Sequence, residues 1–202
     1  GKSLTFQVPA LAREGLCLVV TPLIALMKDQ VDNLRARGIK AVAIYSGMTH
    51  SAIITALENC IFGDYKFLYV SPERLTSEIF LTKLRDMNVN LLAVDESHCI
   101  SQWGYDFRPA YLNIAEIREK LEGVPVLALT ATATKKVAKD IEDKLLFEES
   151  NLFRKSFERE NLSYVVRYSE NKIDDLVNIL NSVEGTAIVY VRSRKATREV
   201  AQ

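Results

Sequence analysis

The sequence predicts an α/β fold, a doubly wound and mostly parallel sheet flanked by helices on both faces. Three observations predict it. Short apolar runs alternate with segments of helical period. The runs are apolar at successive positions, as strands covered on both sides require. Each run ends in small hydroxyl, charged or turn-forming residues. Parallel strands joined through helices gather their carboxyl ends at one rim, where ligands bind.

The elements follow in order. Leu4, Phe6 and Leu11 suit a helix leading into a strand over Leu16 to Val20. Pro22 stands at a position like the first of a helix, and Leu23, Leu26, Met27, Val31 and Leu34 recur at helical spacing. Arg35 and Arg37 fall in its last turn, and Gly38 ends it. Further strands are expected over Ala41 to Tyr45, Phe67 to Val70, Leu91 to Val94, Val126 to Leu129 and Ala187 to Val191. Further helices are expected over Ile53 to Ile61, Pro72 to Leu84, Ile114 to Leu121, Val137 to Leu145 and Ile173 to Leu180. Between Glu148 and Leu162 the chain turns polar without sustained periodicity, so a new region is expected to begin there.

The 202 residues are 48% hydrophobic and 26% charged, enough apolar material for one full core and part of another. Lys+Arg and Asp+Glu are both 26, and the net charge of +0 provides no global field to attract nucleic acid or an anionic membrane. Phosphate binding must therefore be local. Cys17, Cys60 and Cys99 are an odd set without metal-ligand spacing, which predicts reduced, mostly buried thiols in an intracellular protein, cytoplasmic or at the nucleoid if bacterial. No run approaches the length of a membrane span, and no signal peptide is visible.

The chemistry concentrates at the strand ends. The run Leu91 to Val94 delivers Asp95 and Glu96 to its carboxyl edge, where the two carboxylates can approach one site from different directions. Asp95 is expected to hold a Mg²⁺ that bridges phosphate oxygens, and Glu96 to orient or deprotonate the attacking water. Gly1-Lys2-Ser3 matches the tail of the phosphate loop G-x-x-x-x-G-K-[ST], in which the lysine neutralises phosphate and the hydroxyl ligates Mg²⁺. Either motif alone is weak, since Asp-Glu also makes an ordinary acidic turn and Gly-Lys-Ser occurs by chance. Together they form a metal-nucleotide pair.

After the carboxylates, Ser97 to Tyr111 carries the only Trp and a dense group of aromatics beside Gln102 and Arg108. Exposed rings stack bases, and Arg108 can add a phosphate or stacking contact; the competing expectation is a small aromatic core that holds the loop. His98 can hydrogen-bond a phosphate-side water or Gln102 and transmit nucleotide state, whereas His50 beside Ser51 reads as solvated or capping. The Ser, Thr and Pro residues at the other strand ends also cap helices, a role compatible with donating to phosphate.

These motifs resemble superfamily 2 helicases and, within them, the RecQ family of DNA helicases. The resemblance runs through Gly-Lys-Ser, Thr21 to Gln30, Ser71-Pro72-Glu73-Arg74, Asp95-Glu96-Ser97-His98, the aromatic loop and Thr130-Ala131-Thr132-Ala133-Thr134. It implies RecA-like P-loop NTPase lobes, ATP and Mg²⁺ between them, 3′-to-5′ translocation on single-stranded DNA and duplex unwinding in DNA repair and recombination. It implies catalytic roles for Lys2, Asp95 and Glu96. Nucleotide binding would involve Gly1, Lys2, Ser3, Asp95, His98 and Gln102, with Ser3 and Asp95 on Mg²⁺. DNA contact or motion would involve Trp103, Tyr105, Phe107, Arg108, Thr21, Pro22, Ser71, Arg74, Thr130 and Thr132. Ser97 replaces the family's frequent Ala and leaves both carboxylates in place.

The resemblance further assigns 1–155 to a first lobe lacking its upstream start. It assigns 156–202, with Ser156 to Leu162 as interlobe connection, to the beginning of a second lobe. An isolated piece of this extent is expected to hydrolyse ATP poorly. Two other readings stay open on sequence: an RNA helicase of the same superfamily, and a nucleic-acid-binding module without turnover. Oligomeric state is not legible.

Overall fold

The structure is a computed structural model that describes residues 2–156 and 160–201. The chain divides into two compact units, Gly1–Phe153 and Arg154–Gln202.

The first unit holds a five-stranded parallel sheet in the order β2-β3-β1-β4-β5, with β1 Leu16–Val20, β2 Ala41–Ile44, β3 Phe67–Val70, β4 Val89–Val94 and β5 Val126–Ala128. Its helices are α1 Leu4–Leu11, α2 Ile24–Ala36, α3 His50–Phe62, α4 Glu78–Leu84, α5 Ile114–Lys120 and α6 Lys135–Lys144. Every residue of central β1 and of β3 is buried, which accounts for their uninterrupted apolar composition. Alternate residues serve opposite faces. Leu18, Val20, Leu68, Val70, Leu92 and Val94 pack with apolar residues of α3 to α6. Cys17, Val19, Phe67, Tyr69, Leu91 and Ala93 pack with Phe6 of α1 and with Met27, Val31 and Leu34 of α2. The sheet is thus covered on both sides, as the fold class requires.

Local chemistry sets several boundaries. Thr49 and Thr134 cap α3 and α6 by accepting from the amides of Ala52 and Val137, both at 3.3 Å. Gly38, at φ +75°, ends α2 in a left-handed turn, with its amide on Arg35 O and that of Ile39 on Leu34 O. Pro22 precedes α2 instead of opening it, because Leu23 is extended at φ −106° and forms the cap. The single helix expected over Pro72 to Leu84 is two pieces, a 3-10 turn over Pro72–Arg74 and then α4. Ser77 divides them by donating its hydroxyl to Arg74 O at 2.8 Å, a local bond that competes with helix continuation.

All three cysteines are free and buried. Burial holds the Cys17 thiol far above its ordinary pKa and raises Cys60 to about 12 and Cys99 to about 11. No helix among the described residues is long and apolar enough to cross a membrane.

The second unit contains α7 Lys172–Ser182 and α8 Arg194–Val200, neither with a buried residue. Asn171 caps α7 and Ser193 caps α8. The strand expected over Ala187 to Val191 is absent: Ile188, Val189, Tyr190 and Val191 are exposed and form no ladder. A strand needs a neighbour for its backbone groups, and no strand lies among the described residues of this unit. Of the expected interlobe connection, Phe157, Glu158 and Arg159 lie outside the described residues, as does Gly1.

Candidate active site

Because the sheet is parallel, the ends of β1, β3, β4 and β5 bring Thr21, Ser71, Asp95 and the turn at Thr130 to one rim. Asp95 leaves β4 almost fully buried, at 2% exposure. Its amide donates to Val20 O at 2.8 Å, and its Oδ1 accepts from the Glu96 amide at 2.9 Å. Glu96 then takes a left-handed conformation at φ +47°, unusual for a side chain with a Cβ, and this turns its carboxylate back toward the rim.

Lys2 reaches both acids. Its Nζ lies 3.0 Å from Asp95 Oδ1 and also donates to Glu96 Oε1. Burial alone lowers the lysine's pKa, but hydrogen bonds and charge from Glu96 and Asp95 outweigh it, and the net shift is upward. Lys2 is therefore an ammonium at neutral pH. Ser3, beside it, starts α1, its carbonyl accepting from the Phe6 and Gln7 amides.

Tyr111 supports this corner from below. Its ring is fully buried, and its hydroxyl donates to Asp95 O at 2.9 Å. Tyr111→Phe leaves that carbonyl unpaired in the core, which is expected to cost about 1–3 kcal/mol of stability. It should also loosen the peptide that aims Glu96. Thermal melting together with ATP turnover checks this, and a Phe variant equal to the parent in both would show the bond to be idle.

His98 joins the acidic turn to the end of β5. Its Nδ1 lies 3.3 Å from Glu96 Oε2 and 3.0 Å from Thr130 Oγ1, while Nε2 lies 3.8 Å from the Cys99 thiol. A carboxylate only accepts, so Nδ1 carries the proton and Nε2 faces the thiol. Burial lowers the imidazole's pKa and outweighs the carboxylates of Glu96 and Asp106, which raise it, so His98 is neutral at pH 7. A depressed histidine binds its proton more readily when unfolded. Stability is thus expected to be full above the ordinary value near 6.5 and to fall as pH drops through the window below it. An NMR titration of His98 with a midpoint at or above 6.5 would contradict this, and His98→Gln should flatten the acid limb.

The expected His98 to Gln102 contact is not formed. Gln102 is exposed and makes no hydrogen bond among the described residues. The backbone turns away at Ser101, whose amide donates to His98 O and whose hydroxyl accepts from the Trp103 amide. Gly104 makes the turn possible: a Cβ there would stand 2.6 Å from His98 O and 3.1 Å from Ser101 O.

Beyond this turn the aromatic loop divides. Trp103 and Tyr105 are 64% and 75% exposed, Tyr105 stacks on His98 with ring centroids 4.6 Å apart, and Phe107 is half-buried. Arg108 binds Asp106 at 3.0 and 3.1 Å and the Pro22 carbonyl at 3.4 Å. Its guanidinium holds the Asp106 carboxyl below the usual range. The loop is therefore tied to the ends of both β1 and β5.

The remaining rim residues lie at the other strand ends. Arg74 donates to Tyr45 O at 3.3 Å, and Thr132 is exposed with its amide toward Thr130 Oγ1. The hydroxyls of Thr21, Ser71 and Ser97 are buried without a hydrogen-bond partner among the described residues. Sequence reasoning missed Tyr111 as a support, Asp106 as the partner of Arg108, and Lys136, whose ammonium lies over the Trp103 ring. Only the Asp106 to Arg108 spacing carried a local signal.

The profile of DEAD/DEAH box helicases matches residues 1–141. The chain belongs to this family. Among its relatives, the "ATP-dependent DNA helicase RecQ" of Bacillus subtilis (strain 168) is 46% identical over 199 residues, covering 96% of this chain and 33% of that protein. The "Probable ATP-dependent DNA helicase RecS" of the same organism is 41% identical over 205 residues, covering 100% of this chain and 41% of that protein. These relatives place this DEAD/DEAH box chain with the RecQ helicases, and it spans a third to two fifths of their lengths. The crystal structure of a hypothetical ATP-dependent RNA helicase from Sulfolobus tokodaii aligns with TM-score 0.55 at 21% identity, over 74% of this chain and 44% of that one. That likeness concerns the fold alone.

Proposed function

We propose that this chain carries the ATP-binding lobe of a RecQ-type DNA helicase, in which ATP hydrolysis drives 3′-to-5′ movement on single-stranded DNA and duplex unwinding. One observation carries the reading: the Lys2 ammonium meets both Asp95 and Glu96 at the sheet's carboxyl rim, although more than ninety residues separate them. Lys2 binds the β- and γ-phosphates, and Glu96 orients and deprotonates the attacking water. Gly1 supplies the last glycine of the phosphate-loop pattern, before Lys2 and Ser3.

The donors suit Mg²⁺, being hard oxygens from one carboxylate and one hydroxyl, Asp95 and Ser3. No group of three His, Cys, Asp or Glu side chains gathers to cage an ion among the described residues, as befits a cation that shares its coordination with phosphates. Bound there, Mg²⁺ would neutralise charge on the phosphate oxygens.

The aromatic loop is the strand sensor. Trp103 and Tyr105 offer exposed rings to bases, and Phe107, half-buried, belongs to the same loop. Thr21, Pro22, Ser71, Arg74, Thr130 and Thr132 form the adjoining strand path. The route from base to nucleotide runs from Tyr105 through His98 to Glu96, with Arg108 setting the loop and Gln102 free to meet ligand. In this reading 1–155 is the first lobe and 156–202 the connection and start of the second.

The test is ATP turnover by the full-length protein with single-stranded DNA and RNA side by side, over a salt series. DNA should stimulate and RNA should not. Equal stimulation by RNA would favour the RNA helicase reading, and no turnover with either would leave a binding module.

A further inference from the structure

We propose that Lys136 is a strand-binding residue that forms one site with Trp103, the base stacking on the indole while the ammonium takes a backbone phosphate. The inference rests on reading the aromatic loop as a strand contact and adds to it a residue from a different element. The Lys136 Nζ lies 3.1 Å from the centroid of the exposed Trp103 ring, so α6 and the loop meet at this point.

Three features point to a further ligand for that ammonium. It pairs with no carboxylate among the described residues, whereas Lys139 and Lys144 on the same helix pair with Asp143 at 2.8 Å and Asp140 at 3.9 Å. It lies in the first turn of α6, where the helix dipole disfavours a cation and no acidic residue offsets it. Lys135 lies beside it, and both are exposed. Two cations thus stand at a helix start, one of them over an aromatic face, a combination that suits an anionic polymer with stackable bases.

The geometry also implies an exchange. An ammonium this close to the indole leaves no room for a base at stacking distance on the same face, so strand binding moves Lys136 from ring to phosphate. The ring then gains the base as the ammonium gains the anion. Because α6 follows the Thr130 turn, whose hydroxyl meets His98, this exchange occurs next to the link between the loop and Glu96.

The experiment measures the affinity of the full-length protein for a fluorescein-labelled oligothymidylate by anisotropy across a sodium chloride series. The variants are Lys136→Gln, Lys136→Arg and Trp103→Ala. Lys136→Gln should weaken binding about 3- to 10-fold at low salt and reduce the slope of log affinity against log salt by about 0.7, the value of one phosphate contact on a single strand. Lys136→Arg should keep the slope. Trp103→Ala should weaken binding with the slope nearly unchanged. Melting temperatures near the parent's, expected for an exposed side chain, establish that the variants are folded.

A Lys136→Gln variant with the parent's slope overturns the inference. If Trp103→Ala also binds like the parent, the strand-contact reading of the loop falls with it. If only Trp103→Ala weakens binding, that reading stands and Lys136 alone is excluded.

Discussion

Glu96→Gln in the full-length protein should bind ATP and fail to hydrolyse it, with kcat lower by roughly 10²- to 10⁴-fold, the usual contribution of a positioned general base. The amide keeps the size of the carboxylate and can still accept from Lys2, so the corner retains its shape. What it loses is the basicity needed to take a proton from water. Glu96 is suited to that role because its left-handed backbone turns it out of the strand, while Asp95 stays 2% exposed below it. Single-turnover hydrolysis, measured alongside binding of a fluorescent ATP analogue, separates the two effects. Unchanged turnover would remove Glu96 from the chemistry.

Lys2→Ala should be the second large effect, acting on binding and stability together. The Asp95 side chain is 3% exposed and Lys2 supplies its cation, whereas the Lys2 and Glu96 side chains are 31% and 23% exposed. Breaking a fully buried pair costs about 3–5 kcal/mol, but water reaching Lys2 and Glu96 screens this one, and a loss of about 1–2 kcal/mol is expected. ATP turnover should fall by roughly 10²- to 10³-fold, the scale of losing one preorganised donor aimed at developing transition-state charge. The pH dependence has a definite sign. The folded pKa of Lys2 is raised, so its stabilisation is complete below the ordinary value of 10.5 and is lost only as pH climbs through the raised one. Parent and Lys2→Ala melting curves should therefore differ by a constant amount around neutral pH and converge in strong alkali. A variant with the parent's melting temperature and KM would show that the lysine serves neither the acids nor the nucleotide.

Strands β1 and β3 were the most legible because each is buried on both faces and has no polar position to confuse the pattern. β1 and β3 match their expected spans residue for residue. Patterns failed where a neighbour or a local bond decides the outcome. Ala187 to Val191 has the composition of a strand, but composition does not supply the ladder partner. Pro72 to Leu84 has helical spacing, but Ser77 turns its hydroxyl back to Arg74 and restarts the helix.

At the site, the amino-acid sequence by itself determined which chemical groups exist: an amine at Lys2, adjacent carboxylates at the end of an apolar strand, and a loop of rings following them. Only the tertiary structure decided their company. It put the Lys2 ammonium on both carboxylates, Tyr111 beneath the Asp95 carbonyl, Thr130 rather than Gln102 against His98, and Lys136 on Trp103. The physical reason is range. Strand and helix periodicities follow from the backbone and from neighbours a few residues away, whereas these contacts join residues brought together by parallel crossovers and depend on how the β-layer and its covering helices pack.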